Sequence, residues 1–332
     1  MKPAASSAAP KLAASAGGNH VTIAGLFTGM NAAPLMISVE KDYFKEQGLD
    51  VETVPTAGGS EGIVQLGAGQ IDAFLGTVSS ATFAAVDRGV PIKIVAASSR
   101  YALKGEPLSL TTLVRKQAFD SGQIKGFQDL KGKTAAFNSA GSGTEYLFQK
   151  RLEKYGMSLA DLRVVYVGTP PDQLTAMKNG SVEVASFPSP LDKQGLQQGI
   201  GVQLGSEDDS NPNPGQQFIF VMYSPKFLAD RRDAALRFLM GYEKGLRDVA
   251  DGGAKREPNT QILAKAFKYE PSYIMQSVNY FDTRMTVNAG DLADEQRVWT
   301  QTGALKIGKP VDVNQMVDNS LVEPVLQKLG KA

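Results

Sequence analysis

The polar chemistry of this sequence is concentrated in short segments rich in glycine, serine and threonine. They are Thr28, Gly29 and Asn31; Gly59 and Ser60; Thr77, Ser79 and Ser80; and Ser139, Gly141, Ser142 and Thr144. Glycine lets backbone N–H groups approach a ligand closely, and hydroxyls add adaptable donors. Free N–H groups at a helix start favour an anion. Such segments can hold a carboxylate or sulfonate without a full counter-charge. The segment 139–144 is the richest, since it precedes a strongly helical stretch over 145–155. An ordinary N-cap with a flexible glycine turn explains the same residues, and capping alone accounts for one serine each at 59–60 and 79–80. No Gly-Lys-Ser/Thr ends the 139–144 segment, so it is not a phosphate loop.

Arg100 is the most informative charged residue. It follows a buried-type strand and could grip an acid group with both arms; the competing reading is a surface arginine. Phe27 and Phe187 could wall a pocket for an apolar or aromatic ligand body, or pack in the core. Tyr101 and Tyr166 are weaker candidates of the same kind.

Other chemistries are poorly supplied. The chain has no cysteine and one histidine, His20, among 332 residues. Cysteine nucleophiles, disulfides and thiolate metal sites are excluded. A Ser-His-Asp arrangement lacks a usable imidazole, because His20 precedes the first strand. The candidate segments hold no lysine, and no acid before Glu145, so paired-carboxylate chemistry has no pair. Neither a cofactor nor a metal is expected. Lysine plus arginine (35) balance aspartate plus glutamate (34), giving a net charge of +1 and no general attraction to nucleic acid. No apolar run approaches the about 18–20 residues that span a bilayer.

The elements that must position these residues alternate. Strands are predicted over 21–27, 49–54, 71–75, 92–97, 108–115, 133–138, 163–167, 182–186 and 218–223. Helices are predicted over 33–47, from 60, and over 79–88, 144–155 and 171–179. A helical tail follows, over 231–248, 259–267, 271–279 and 289–302. The order argues for an α/β fold with largely parallel sheets. The candidate segments fall after strands, where open α/β sheets bind ligands. Residues 65–74 and 174–185 echo one another: a helix ends near a glycine, and an apolar residue, an acid (Asp72, Glu183) and a short apolar strand follow. Two lobes on one plan is the simplest inference; chance recurrence of a common junction is the alternative. Residues 1–19 read as a disordered, Ala/Ser/Gly-rich tail, or as the remnant of an export region.

The segment Lys41-Asp42-Tyr43-Phe44-Lys45-Glu46-Gln47-Gly48-Leu49-Asp50-Val51-Glu52 resembles the GYFKKEGLDVE stretch of nitrate/sulfonate/taurine-type solute-binding proteins of ABC importers, a group with thiamine-precursor-binding relatives. Gly58-Gly59-Ser60, residues 66–72 and residues 127–133 follow at the family's distances. The resemblance covers about residues 21–244. It implies a type II periplasmic-binding-protein fold: two α/β lobes, two crossover strands and a cleft between them, with a helical C-terminal tail. Lobe 1 is then expected over 20–103 and 221–332, and lobe 2 over 104–220. The implied function is that of a periplasmic, monomeric receptor. It would close on a small organic anion, a sulfonate or carboxylate with an aromatic body among the options, and deliver it to a membrane permease. Nitrate and pyrimidine-like ligands stay open. The competing classes are an enzyme of the same fold, resembling desulfinases and cofactor-pathway enzymes that use a cleft cysteine or histidine, and the effector module of a regulator, for whose DNA-binding helices the first nineteen residues are too short.

Overall fold

Short apolar runs bounded by glycine turns favour strands buried on both faces, and they build two sheets. The computed structural model describes residues 18–56, 59–206 and 211–330. Most of the expected N-terminal tail, Gly58 of the family-like segments and the last two residues lie outside the described residues. The first sheet comprises β1 (His20–Gly25), β2 (Asp50–Pro55), β3 (Ala73–Gly76), β4 (Lys93–Arg100), β10 (Gln217–Tyr223) and β11 (Tyr280–Phe281). Its order is β11-β4-β10-β3-β1-β2. The second comprises β5 (Leu110–Arg115), β6 (Thr134–Phe137), β7 (Arg163–Tyr166), β8 (Val184–Pro188) and β9 (Gly201–Gln203), in the order β7-β6-β8-β5-β9. Each sheet with its helices is a lobe.

The two lobes share one plan. In each, the first strand lies between the second and third in parallel, and a strand that has crossed from the other lobe inserts antiparallel beyond the third. The echoed segments sit at equivalent places. Asp72 accepts from the Thr22 N–H of β1 at 3.0 Å, and Glu183 accepts from the Thr134 N–H of β6 at 2.8 Å. In both cases the acid's own N–H returns to the carbonyl of the same threonine. Each acid thus closes off the edge of its lobe's first strand, and a left-handed glycine (Gly69, Gly180) makes the preceding turn.

The two chain crossings run together. Tyr101 N–H donates to Gln216 O at 2.8 Å, and Gly215 N–H donates to Ala102 O at 3.1 Å. β10 belongs to the first sheet from Gln217 onward, a few residues before the expected boundary at 221.

The helix predicted over 33–47 is broken in two, Ala33–Glu40 and Tyr43–Glu46, by Asp42 in the left-handed region. The lysine-to-glutamate segment that carries the family resemblance is scaffolding. Lys41 and Tyr43 meet Asp248 at 2.6 and 2.7 Å, and Phe44 stacks on Phe238 at 4.8 Å. The partner helix, Arg232–Val249, comes close because a Cβ at Gly245 would stand 2.1 Å from the Ser38 hydroxyl. Truncating Phe238 to alanine would cost about 3–5 kcal/mol.

The tail braces the first sheet. β11 pairs with β4, and further along Ile94 exchanges backbone bonds with Met316 and Asp318 at 2.7 and 3.0 Å. The helix Ala289–Thr302 also reaches the other lobe, where Tyr146 lies edge-on to Trp299 and bonds to Asp294. Elements missed by pattern are short: β9, β11, and the helices Lys116–Asp120, Leu191–Gln197, Pro225–Asp230 and Val322–Leu329.

One buried acid makes stability depend on pH. Glu243 is fully buried on Arg232–Val249. Burial pushes its carboxyl from 4.5 up to about 7 against the pull of Arg247, while the Asp282 charge adds to the rise. The folded chain therefore holds this proton more tightly than the unfolded chain. The stabilisation is complete below about pH 4.5 and is lost as pH rises through about 7. Glu243→Gln is expected to raise stability at pH 8 by on the order of 2 kcal/mol and to change it little at pH 4.5. Melting curves of both proteins at the two pH values check this; an equal effect at both would show that Glu243 does not titrate in this range.

Candidate functional site

The carboxyl ends of the parallel strands in both lobes face one another, and the lobes touch there. Met30 N–H donates to Ser189 O at 3.1 Å, and Ser80 N–H donates to Gly141 O at 3.0 Å. Glycines permit this approach. A Cβ at Gly29 would stand 2.9 Å from Ser189 O, one at Gly143 would stand 2.8 Å from the Thr77 Cβ, and one at Gly141 would overlap the Ser80 hydroxyl. Behind these contacts lies a cavity of about 100 Å³. That is the scale of the ~150 Å³ apolar cavity that binds benzene in an engineered core.

Both lobes line it. The apolar wall is built by Leu26, Phe74, Tyr101, Leu110, Phe218 and Pro188. Tyr101 and Phe218, one on each crossing, stack at 4.3 Å with their planes 5° apart. The polar points are Asn31 and Thr77 from the first lobe and Asn138, Ser142, Thr144 and Ser186 from the second. No Asp, Glu, Lys, Arg or His is among the described residues that line it. Nor do the described residues bring three or more His, Asp or Glu together in a way that could hold a metal ion.

Two of the second lobe's polar points, Ser142 and Thr144, begin a helix. Ser142 caps Gly143–Glu153, and its hydroxyl accepts from Glu145 N–H at 3.4 Å. Ser142 and Thr144 hydroxyls lie 3.1 Å apart, and Asn138 is tied to Gly168 O at 3.1 Å. The first turn of a helix leaves N–H groups without intrahelical acceptors, which turns a donor-rich edge towards the cavity. Glu145 tempers it. Its carboxylate takes the Gly141 N–H and the Tyr166 hydroxyl, and burial raises its pKa against the pull of these bonds.

Of the residues singled out by sequence, the cavity gathers Asn31, Gly59, Thr77, Ser142 and Thr144. The others are placed elsewhere, each for a physical reason. Arg100 points away: Glu106 takes its guanidinium at 2.7 and 3.1 Å, and the Tyr280 ring covers it at 4.6 Å. It borders a separate polar groove with Lys150, Asp282 and Arg284. Phe187 is fully buried in the second lobe's core, because strand side chains alternate and its neighbours Ser186 and Pro188 take the cavity face. Phe27 folds back over Gly25, whose Cβ would stand 2.6 Å from its ring. Ser79 is a buried helix cap, with its N–H on the Thr82 hydroxyl at 3.2 Å. Gly141 serves the contact between lobes. Thr28, Ser60 and Ser139 do not line the cavity, and Tyr166 is half exposed beside Glu145.

Phe218, Ile219 and Leu110 were missed for one reason. They begin β10 and β5, the antiparallel strands, so their amino ends lie beside the carboxyl ends of their neighbours. A search confined to the ends of parallel strands passes over them. The available signal was that both strands follow a crossing.

A family model described as NMT1/THI5 like matches residues 30–252. A 4-amino-5-hydroxymethyl-2-methylpyrimidine phosphate synthase of Saccharomyces cerevisiae, THI11, is 27% identical over 170 residues, 51% of this chain and 42% of its own length. The chain thus spans about two fifths of the length of that curated relative. The ligand-binding component of an ABC-type import system from Staphylococcus aureus superposes with a TM-score of 0.74 at 16% identity, covering 92% of this chain and 99% of that one. The alkanesulfonate-binding protein SsuA from Xanthomonas axonopodis pv. citri, bound to MOPS, gives 0.68 at 16%, covering 94% and 99%. These likenesses establish the type II periplasmic-binding-protein fold.

The glycine at 143 offers a test of closure that leaves each lobe intact. Its φ is helical, so alanine costs the helix nothing, yet the new Cβ meets Thr77 only when the lobes come together. In Gly143→Ala, the lobes are expected to part at this contact, with a larger radius of gyration by small-angle scattering and unchanged helix content by circular dichroism. An unchanged radius would show that the lobes need not meet closely at Thr77.

Proposed function

The chain belongs to the NMT1/THI5-like family, and from that premise we propose that it is the solute-binding receptor of an ABC import system. It closes on an organic molecule of about one ring and hands it to a membrane permease. The observation that carries this reading is the cavity, which is walled by both lobes and sealed by backbone bonds between them. A ligand that touches both lobes favours the closed form through contacts the open form lacks. The Tyr101–Phe218 stack offers an apolar platform for a ring or short chain, and the hydroxyls opposite suit a sulfonate or carboxylate end. An exported, periplasmic and monomeric protein fits the same reading.

The synthase relatives favour a second reading, an enzyme on the same fold. The cavity chemistry speaks against it. The sole histidine begins β1 and bonds to Asp50 at 2.8 Å, whereas the cavity lies beyond the other end of that strand, about 15–20 Å away. General acid–base catalysis needs a titratable group within reach of the reacting atom, and the wall described above has only tyrosine, hydroxyls and amides.

The test is a melting-temperature panel of alkyl and aromatic sulfonates, aromatic carboxylates, nitrate and a hydroxymethylpyrimidine, with small-angle scattering on any compound that shifts the curve. One class is expected to stabilise by about 2.7 kcal/mol at 100 times its Kd and to shrink the radius of gyration. Chemical conversion of the pyrimidine would favour the enzyme. No shift with any compound would overturn the receptor reading.

A further inference from the structure

A guanidinium stands one hydrogen bond behind the cavity wall. Arg151 lies on the helix Gly143–Glu153 and is 1% exposed. One of its terminal nitrogens donates to the Thr112 hydroxyl at 2.7 Å and to the Ser186 hydroxyl at 2.9 Å; the other donates to Leu110 O at 3.2 Å. Ser186 and Leu110 line the cavity, whereas Thr112 is fully buried. Burial lowers Arg151 to about 10, which leaves it a cation at neutral pH.

The hydroxyl protons can be counted. Thr112 and Ser186 oxygens lie 3.0 Å apart, so one donates to the other. Each hydroxyl has one proton and two acceptor sites. When Thr112 donates to Ser186, the Ser186 oxygen accepts from both Thr112 and Arg151. Its own proton must then go elsewhere, and the open direction is the cavity. A ligand acceptor selects this arrangement; a ligand N–H donor needs the reverse one, in which Ser186 donates to Thr112 and the proton of fully buried Thr112 must find another acceptor away from the cavity. The guanidinium bond to its oxygen polarises the Ser186 hydroxyl and makes it a stronger donor. Because the guanidinium was stripped of water on folding, binding does not strip it again.

We propose that Ser186, backed by Thr112 and Arg151, is the pole of the cavity that takes an anionic oxygen of the ligand and rejects a cationic end. This rests on the receptor reading above and names the ligand class within it: a small apolar body carrying one carboxylate or sulfonate.

The experiment compares matched pairs by calorimetry at pH 7.5: benzoate with benzylamine, and butyrate with butylamine. In the unmodified protein, at least one acid is expected to bind at least tenfold more tightly than its amine. Ser186→Ala is expected to remove most of that preference with only a modest fall in the ligand-free melting temperature, since a buried N–H loses one acceptor while Arg151 keeps Thr112 and Leu110. Arg151→Gln, which keeps a donor and removes the charge, is expected to weaken the acid at least tenfold; if that variant fails to fold, Ser186→Ala decides alone. Equal acid affinity in Ser186→Ala would overturn the proposal. Tighter binding of an amine, with closure seen by scattering, would overturn it and leave the receptor reading standing. No binding by any of these compounds, together with no shift anywhere in the wider panel, would overturn both.

Discussion

Contact between two backbones across the cleft is the constraint on which the site depends. The bonds from Met30 to Ser189 and from Ser80 to Gly141 form only if residues 29, 141 and 143 lack side chains. Without that approach the walls do not meet, and the apolar platform on one side has no polar edge on the other. Net, a backbone hydrogen bond is worth only about 1 kcal/mol, and closing also costs freedom of the lobes. These two bonds are joined by the Tyr146 contacts to Asp294 and Trp299 from the helix Ala289–Thr302. Under the proposed receptor reading, a ligand would shift closure only by its differential affinity for the two states.

Much of the architecture was legible in the sequence, because it is written twice. A helix, a glycine, an acid and a short apolar strand recur at 65–74 and 174–185, and the structure gives the acids one job in both lobes: Asp72 and Glu183 hold the first strand's threonine N–H. A repeated local solution to one backbone problem is visible without any alignment. The family-like segment at 41–52 was just as visible, but for a reason unrelated to ligand. Its tyrosine, phenylalanine and lysine are fastened to Arg232–Val249 at Asp248 and Phe238. What is most recognisable here is how a lobe is built.

The cavity was half legible. Loops after parallel strands delivered Asn31, Thr77, Ser142 and Thr144, since the geometry of an open α/β sheet sends those loops to the cleft. The rule does not see a strand that runs the other way, and so Phe218 and Leu110 escaped it. Arg100 misled because its partner, Glu106, is only six residues on: a charge near a cleft is first claimed by whatever opposite charge the local chain supplies. Arg151, in the middle of a helix, gave no sign by spacing that it would lie beneath the wall.

The stacked rings of Tyr101 and Phe218 sit on the two crossings, which are bonded to each other as one ribbon. When two rigid bodies swing about a ribbon, displacement grows with distance from it, and atoms on the axle scarcely travel. If the lobes swing about this ribbon, the aromatic shelf would keep its shape, while the facing edges of the lobes would move the most. Under the proposed receptor reading, this shelf would be a ready-made landing surface at the pivot, in place before either lobe moves.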